Sequence, residues 1–181
     1  NQPLDAWDVA NTTNMDRMFE DTAFDQPPVL TDPPVLTDPP VSRLTSWYHT
    51  AIESWCTETT AAIARYGPIS AWDVSRETNM YRLFDYPACE SFNDDIGAWN
   101  VSAVTDMRYM FVSAQAFNQP LAWDVSNVIG MNGMFANAQA FNQPLDWNVS
   151  RVTDMDSMFW GARAFNQTLD RWDVSAVTDM N

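Results

Sequence analysis

The chain has 181 residues, of which 46% are hydrophobic and 13% aromatic, enough apolar side chains to bury a core and to exclude global disorder. Its 24 acidic residues face 9 basic ones, all of them arginine, and the net charge of −15 excludes nucleic acid as a partner and disfavours anionic lipid. No apolar run approaches the roughly 18 residues that a membrane-spanning helix needs, so no transmembrane segment is predicted.

A repeated phrase, Trp-Asp/Asn-Val-Ser, begins near the start of the chain and is its dominant feature. Its valines, here called the repeat valines, are Val9, Val74, Val101, Val125, Val149 and Val174, and the last four intervals are 24 to 27 residues. A Met lies six residues after each of these valines. In each complete unit a Met or Leu lies three residues after that Met, and a Phe follows it directly. A single unit this short cannot bury its apolar face, so the units are expected to stack around a shared core.

Spacing within the unit predicts its local structure. Trp and Val of the phrase alternate with polar residues, which is typical of a short strand. Thr105 and Asp106 are suited to start a helix, and Met107, Met110 and Phe111 have the spacing of one helix face. One short strand and one short helix per repeat of about 25 residues is the leucine-rich-repeat pattern. We therefore predict an α/β, leucine-rich-repeat-like solenoid over residues 1–181, as a fragment of a longer array.

The irregular segment 28–66 interrupts the array after its first unit. Val41 begins a degenerate repeat, and residues 28–40 hold a proline minirepeat, PPVLTD, which favours an extended polyproline conformation. A long helix is predicted from about residue 46 to residue 66, ended by Gly67-Pro68. The segment is either a simple sequence expansion with a helix lying on the solenoid, or an element that docks a partner.

Residues of this segment are the candidate partner-binding residues. Prolines reduce the entropy lost when an extended segment is ordered, and large aromatic side chains supply much of the energy at interface hot spots. The candidates are Pro28, Pro33, Pro34, Pro39, Pro40, Trp47, His49 and Trp55.

The two cysteines occupy equivalent places in adjacent units. Cys56 and Cys89 each follow a repeat valine, Val41 or Val74, by fifteen residues, so stacking would bring them together. We predict a disulfide, which would indicate an oxidising compartment, with two unrelated buried thiols as the alternative.

Polar columns also follow from the repeat. From Val74 onward, the residues that precede the repeat valines alternate between Asp and Asn, and we expect them to form a hydrogen-bonded ladder: Asp73, Asn100, Asp124, Asn148 and Asp173. Among the sequons, Asn11 and Asn166 are the candidates for glycosylation. One histidine, no lysine and carboxylates placed by the repeat predict no catalytic site, no metal site and no cofactor.

The repeat phrase carries a family resemblance. The segment FNQPLDWNVSRVTDMDSMF, from Phe141 to Phe159, resembles the BspA-type repeat of bacterial and protist surface proteins, including mycoplasma surface lipoproteins. The resemblance implies a leucine-rich-repeat-like solenoid at the cell surface, with adhesion or protein binding as its role and no catalysis. The departures from the pattern are residues 86–90, which lengthen one turn, and residues 28–66.

Two functions remain open from the sequence. The first is a non-catalytic extracellular or cell-surface protein that binds a protein or glycan partner. The second is a structural or accessory subunit of a large assembly, such as an appendage or a membrane-bound complex, which would place the chain on the lumenal side of a membrane.

Overall fold

The structure, a computed structural model, describes residues 44–180, with side chains described from residue 48 onward. Two helices come first, α1 over Leu44–Thr57 and α2 over Thr59–Tyr66. Short 3-10 helices follow at Ile69–Ala71 and Pro87–Ser91, and the remainder of these residues forms turns, irregular segments and isolated bridges. No helix in this part of the chain is long and apolar enough to cross a membrane.

The single helix predicted over residues 46–66 is two helices. Glu58, between them, has φ −140° and ψ 65°, which is outside the helical region. The hydroxyls of Thr57 and Thr59 donate to carbonyls of the preceding turn, at Glu53 and Trp55, both at 2.8 Å. Threonine hydroxyls that bind in this way bend helices, which explains the break at this point. Gly67, with φ 72°, ends α2 as the sequence indicates.

The predicted α/β solenoid, with one strand and one helix per repeat, is wrong. Residues 67–180 contain neither a strand nor an α-helix. Adjacent repeats are instead joined by isolated parallel bridges, one residue each, at Asn79, Asp106, Gly130, Asp154 and Asp179. These bridges lie outside the Trp-Asp-Val-Ser phrase that was expected to form the strand.

The expected helix fails because the residue eight positions after the repeat valine is left-handed. Its φ is 55° at Arg82, 57° at Tyr109, 61° at Gly133 and 53° at Ser157. Around Tyr109 the amides therefore alternate: Met110 donates within its own turn to Met107, whereas Tyr109 and Phe111 donate to Asn132 and Met134 of the next repeat. A helix needs all its amides directed along its own axis, so the Met-Phe spacing belongs to a chain of turns.

The expected strand does not form because backbone amides of the Trp-Asp/Asn-Val-Ser phrase and the residues after it donate to acceptors in the same repeat, and not to a neighbouring strand. The Val104 amide donates to the Val101 carbonyl at 2.9 Å, and the Ser102 amide donates to Oδ1 of Asn100 at 3.2 Å. The same turn recurs at Asp73, Asp124, Asn148 and Asp173. The alternating Asp/Asn column thus forms turns inside each repeat, and the ladder predicted for it is not the arrangement found.

Aromatic side chains stack from repeat to repeat in three columns. The indole rings of successive repeats are 6.4–6.5 Å apart, from Trp72 to Trp172. The two phenylalanine columns, which begin at Phe84 and Phe92, have spacings of 5.1–6.0 Å. From the second indole of this column onward, each indole N–H donates to a backbone carbonyl of the preceding repeat, as Trp147 does to Leu121 at 2.9 Å. These indole N–H groups are satisfied across the repeats, which ties the units together.

An asparagine ladder also links the repeats, in the Phe-Asn-Gln phrase. Oδ1 of Asn93, Asn118 and Asn142 each accepts the backbone amide of the asparagine in the next repeat, at 2.8–2.9 Å. Gln119, Gln143 and Gln167 each donate the side-chain amide to the backbone carbonyl of the ladder asparagine in the preceding repeat, at 2.9–3.1 Å. The inter-repeat ladder therefore exists, but in a different column from the one predicted.

The two helices pack against the first regular repeat of the described region. Tyr48, Trp55 and Tyr66 surround the indole of Trp72, with ring centres 5.8–6.2 Å apart. A disulfide joins α1 to the 3-10 helix Pro87–Ser91. The helices therefore cover the end of the aromatic columns at Trp72.

Candidate functional site

The surface of the repeats is not uniform at the two positions that follow the core Met. Seven and eight residues after the repeat valine, two repeats carry Tyr81-Arg82 and Arg108-Tyr109. The next two repeats carry Asn132-Gly133 and Asp156-Ser157 there. We call the four large side chains, Tyr81, Arg82, Arg108 and Tyr109, the Tyr–Arg platform.

The platform is a packed cluster. The ring centres of Tyr81 and Tyr109 are 6.1 Å apart, with their planes at 87°. The Arg82 guanidinium carbon lies 5.6 Å from the Tyr81 ring centre and 5.4 Å from that of Tyr109. The guanidinium carbon of Arg108 lies 5.3 Å from the Tyr81 ring centre. Both cations thus contact one aromatic ring, a favourable electrostatic arrangement.

Carboxylates hold the guanidinium groups in place. Arg108 donates to Asp106 from Nε at 2.9 Å and from Nη2 at 2.7 Å. These hydrogen bonds raise the pKa of the Arg108 guanidinium. Nε of Arg82 lies 3.4 Å from the Asp85 carboxylate. The two arginine side chains remain 52% and 46% exposed, so both present donors to solvent.

Two glycines of the next repeat make room for the platform. A Cβ on Gly133 would lie 2.4 Å from Cδ1 of Tyr109, and one on Gly130 would lie 2.9 Å from Cγ of Arg108. Side-chain carbons cannot approach that closely, so the tyrosine ring and the arginine stem lie directly on the backbone of the next repeat. The platform is therefore held by contacts with the backbone at Gly130 and Gly133 as well as by its ion pairs.

The Tyr–Arg platform is not among the sites predicted from the sequence. The available signal was a difference between repeats: large cationic and aromatic residues at two positions that hold Asn132-Gly133 and Asp156-Ser157 in the two repeats that follow. Its proximity to Gly130 and Gly133 depends on how the repeats stack, which the spacing alone does not specify.

Two of the predicted partner-binding residues pack inside the molecule. Trp55 is only 5% exposed, and its indole N–H donates to Asp94 at 2.8 Å, so it is a core residue in this structure. His49 is half-buried, with Nδ1 3.0 Å from the Tyr86 hydroxyl, and burial lowers the pKa of its imidazole. The structure therefore does not bring Trp55 and His49 together on an exposed surface.

The other predicted site residues are the two cysteines, the glycosylation candidates and the remaining partner-binding candidates. Cys56 and Cys89 are joined in a disulfide, with a Cα–Cα distance of 5.0 Å. Asn166 is exposed at the last described step of the asparagine ladder. Asn11, the prolines of residues 28–40 and the side chain of Trp47 lie outside the described residues.

The titratable side chains that the structure describes do not form a metal centre. Among the residues with described side chains, no three His, Cys, Asp or Glu side chains converge on a point where they could hold a metal ion. Glu77 is buried, 5% exposed, at a position that other repeats fill with Val104, Val128 or Val152. Desolvation raises the pKa of this carboxyl to about 7. Glu77 is a titratable residue in an otherwise apolar column, and its burial makes the stability of the fold depend on pH.

The chain was compared with known proteins. A family model described as "Mycoplasma protein of unknown function, DUF285" matches residues 1–31, 42–145 and 88–181. Two of these matches overlap, because a repeated sequence aligns with one model in more than one register. The searches of curated proteins and of solved structures found no match.

Proposed function

The chain belongs to the DUF285 family, described as a Mycoplasma protein of unknown function, and on this premise we propose that it is a non-catalytic repeat protein that binds another protein at the cell surface. The observation that carries the proposal is the Tyr–Arg platform. Tyrosine and arginine are enriched at protein interfaces and among their hot spots. A rigid cluster of this composition, exposed on stacked repeats, is suited to protein binding.

Two further observations support an extracellular or cell-surface location. Disulfides persist in oxidising compartments and are rare in the cytosol, and Cys56 and Cys89 are bonded. The segment from Phe141 to Phe159 resembles the BspA-type repeat of adhesion and surface proteins. This resemblance bears on location and role, and the α/β fold that it implied is not retained.

The second candidate is a structural or accessory subunit of a larger assembly. It is favoured by the uniform stacking of the aromatic columns, because nearly interchangeable repeats can serve as a spacer between other components. In a spacer the platform would contribute only to stability.

Site-specific photo-crosslinking on intact cells distinguishes the two candidates. Lysine is absent, so amine-directed reagents are unsuitable, and a photoreactive amino acid is placed at Thr78, which is exposed on the repeat that carries Tyr81. The matched control carries it at Arg163, which is also exposed but lies away from the platform. The proposal predicts a protein adduct from position 78 that is lost when Arg82 and Arg108 are replaced, with no such adduct from position 163. Adducts of equal yield from both positions, or adducts that do not depend on the arginines, would favour the spacer.

A further inference from the structure

We propose that the Tyr–Arg platform binds an extended acidic peptide of a partner protein, with carboxylates two residues apart on Arg82 and Arg108. The inference rests on the proposed function, since it names the chemistry of the partner that this surface would bind. It depends on the donors that the two guanidiniums have left, on their spacing and on what covers the tyrosine rings.

The guanidinium groups keep unused donors. An arginine side chain has five N–H donors, and Asp106 occupies Nε and one position on Nη2 of Arg108, which leaves three. The contact of Arg82 with Asp85 is longer, 3.4 Å from Nε, and the Arg82 side chain is 52% exposed, so its terminal nitrogens can donate to a ligand. A carboxylate is the acceptor that fits such donors best, because its two oxygens match a planar guanidinium.

The spacing of the two arginines suits an extended chain. Both guanidinium carbons lie within 5.6 Å of the Tyr81 ring centre, so one short segment can reach both. In an extended peptide, side chains two residues apart point to the same side at a separation of about 7 Å. Carboxylates at alternate positions can therefore meet both arginines, whereas adjacent carboxylates point to opposite sides.

The surroundings of the platform favour a peptide over a polyanion or a sugar. Guanidinium groups cover the ring of Tyr81, and Arg82 lies over Tyr109, whose ring also rests on Gly133, so the faces needed to stack a sugar or a base are occupied. The net charge of −15, with Asp85 and Asp106 beside the arginines, repels a long polyanion. A short segment with two carboxylates gains the local contacts with much less of that repulsion, because it carries fewer charges.

The platform is also rigid before it binds. Asp106 orients Arg108, and Gly130 and Gly133 support Arg108 and Tyr109 from below. Side chains that are already ordered lose less entropy on binding, so a small surface can still give measurable affinity. Asp106 acts here as a positioning residue.

The test uses the full chain and short fluorescent peptides in an anisotropy titration. One peptide has two Glu separated by one residue, a second has two adjacent Glu, and a third has Gln in place of both. The platform variant is Arg82→Gln with Arg108→Gln. The matched control, Arg163→Gln with Arg171→Gln, changes the net charge equally at exposed positions away from the platform.

The alternate-Glu peptide is expected to bind the native chain and the control equally, and the platform variant about tenfold more weakly. The adjacent-Glu peptide should bind the native chain less well, and the Gln peptide should show no binding. A second variant, Arg82→Lys with Arg108→Lys, keeps the charge but loses the planar guanidinium that can bind both oxygens of a carboxylate, and should also weaken binding. Thermal unfolding of each variant confirms that it is folded.

Equal affinity for the platform variant and the control would overturn the inference, as would equal binding of the two Glu peptides. A preference for a sulfated polysaccharide over the peptides would make the partner a glycan and would also overturn it. If crosslinking from Thr78 gives an arginine-dependent adduct but no acidic peptide binds, this inference fails while the proposed protein-binding function stands.

Discussion

Replacing Gly133 by alanine tests whether Tyr109 rests on the backbone of the next repeat. The alanine Cβ would lie 2.4 Å from both Cδ1 and Cε1 of the tyrosine ring, so the ring has to move away. The glycine also has φ 61°, a left-handed conformation that costs an alanine about 1 kcal/mol. The variant therefore carries a backbone penalty and a packing penalty.

The packing penalty follows from the contacts that Tyr109 makes. Displacing the ring removes its edge contact with Tyr81, worth about 1 kcal/mol, and its contact with Arg82, worth about 0.5–1 kcal/mol at an exposed site. Together with the backbone penalty, Gly133→Ala should lower the free energy of unfolding by about 2–3 kcal/mol.

A double-mutant cycle separates the two penalties. Serine occupies the same place in another repeat, Ser157, at φ 53°, so Tyr109→Ser is compatible with the backbone. In that background Gly133→Ala should cost only about 1 kcal/mol, because the ring it displaces is gone. Urea unfolding of the native chain, both single variants and the double variant gives the coupling energy. An equal cost of Gly133→Ala in both backgrounds would show that Tyr109 does not lie on Gly133, and would remove the support on which the platform's rigidity depends.

Three further predictions concern stability. Burial raises the pKa of Glu77 from 4.5 to about 7, so the folded chain binds this proton more tightly than the unfolded chain, and stability should fall by about 3 kcal/mol as the pH rises from about 4.5 to above 7. Urea midpoints across this range should show a smaller fall for Glu77→Gln. Asn142→Ala removes the acceptor of the Asn166 amide and should cost about 1–3 kcal/mol in urea unfolding, whereas Asn142→Asp, which keeps an acceptor, should cost less. Reductant should lower the thermal midpoint of the native chain, in line with a loss of about 2–4 kcal/mol, and should leave the double variant Cys56→Ser, Cys89→Ser unchanged.

The sequence predicts the residues of the core better than their conformation. Units of nearly constant length bring equivalent positions together when they stack, so the recurrence of Met, Phe and Trp indicates the buried columns whatever the local backbone is. The spacing of Met107, Met110 and Phe111 does not distinguish a helix from a chain of turns, since both place these three side chains on one side. The left-handed residue between them, Tyr109, decides the outcome, and tyrosine has no intrinsic preference for that conformation.

The sequence also does not determine which hydrogen-bond partner an Asp or Asn side chain takes. An Asp or Asn before the repeat valine can accept from its own turn or from the next repeat, and the structure uses the turn, as at Asn100. The asparagine that links repeats is the one in the Phe-Asn-Gln phrase, as at Asn118. Both choices depend on where the neighbouring repeat places its backbone amides.

The sequence by itself determines the repeat length, the composition of the core columns and the net charge, because these follow from residue types and their spacing. Only the tertiary structure decides which surface residues form a site. Tyr81 and Arg108 are 27 positions apart in the chain and belong to different repeats, and they meet because those repeats stack in register. Gly133, in a third repeat, contributes by having no side chain. The space that it leaves is filled by the ring of Tyr109, and the sequence alone does not show that these two residues meet.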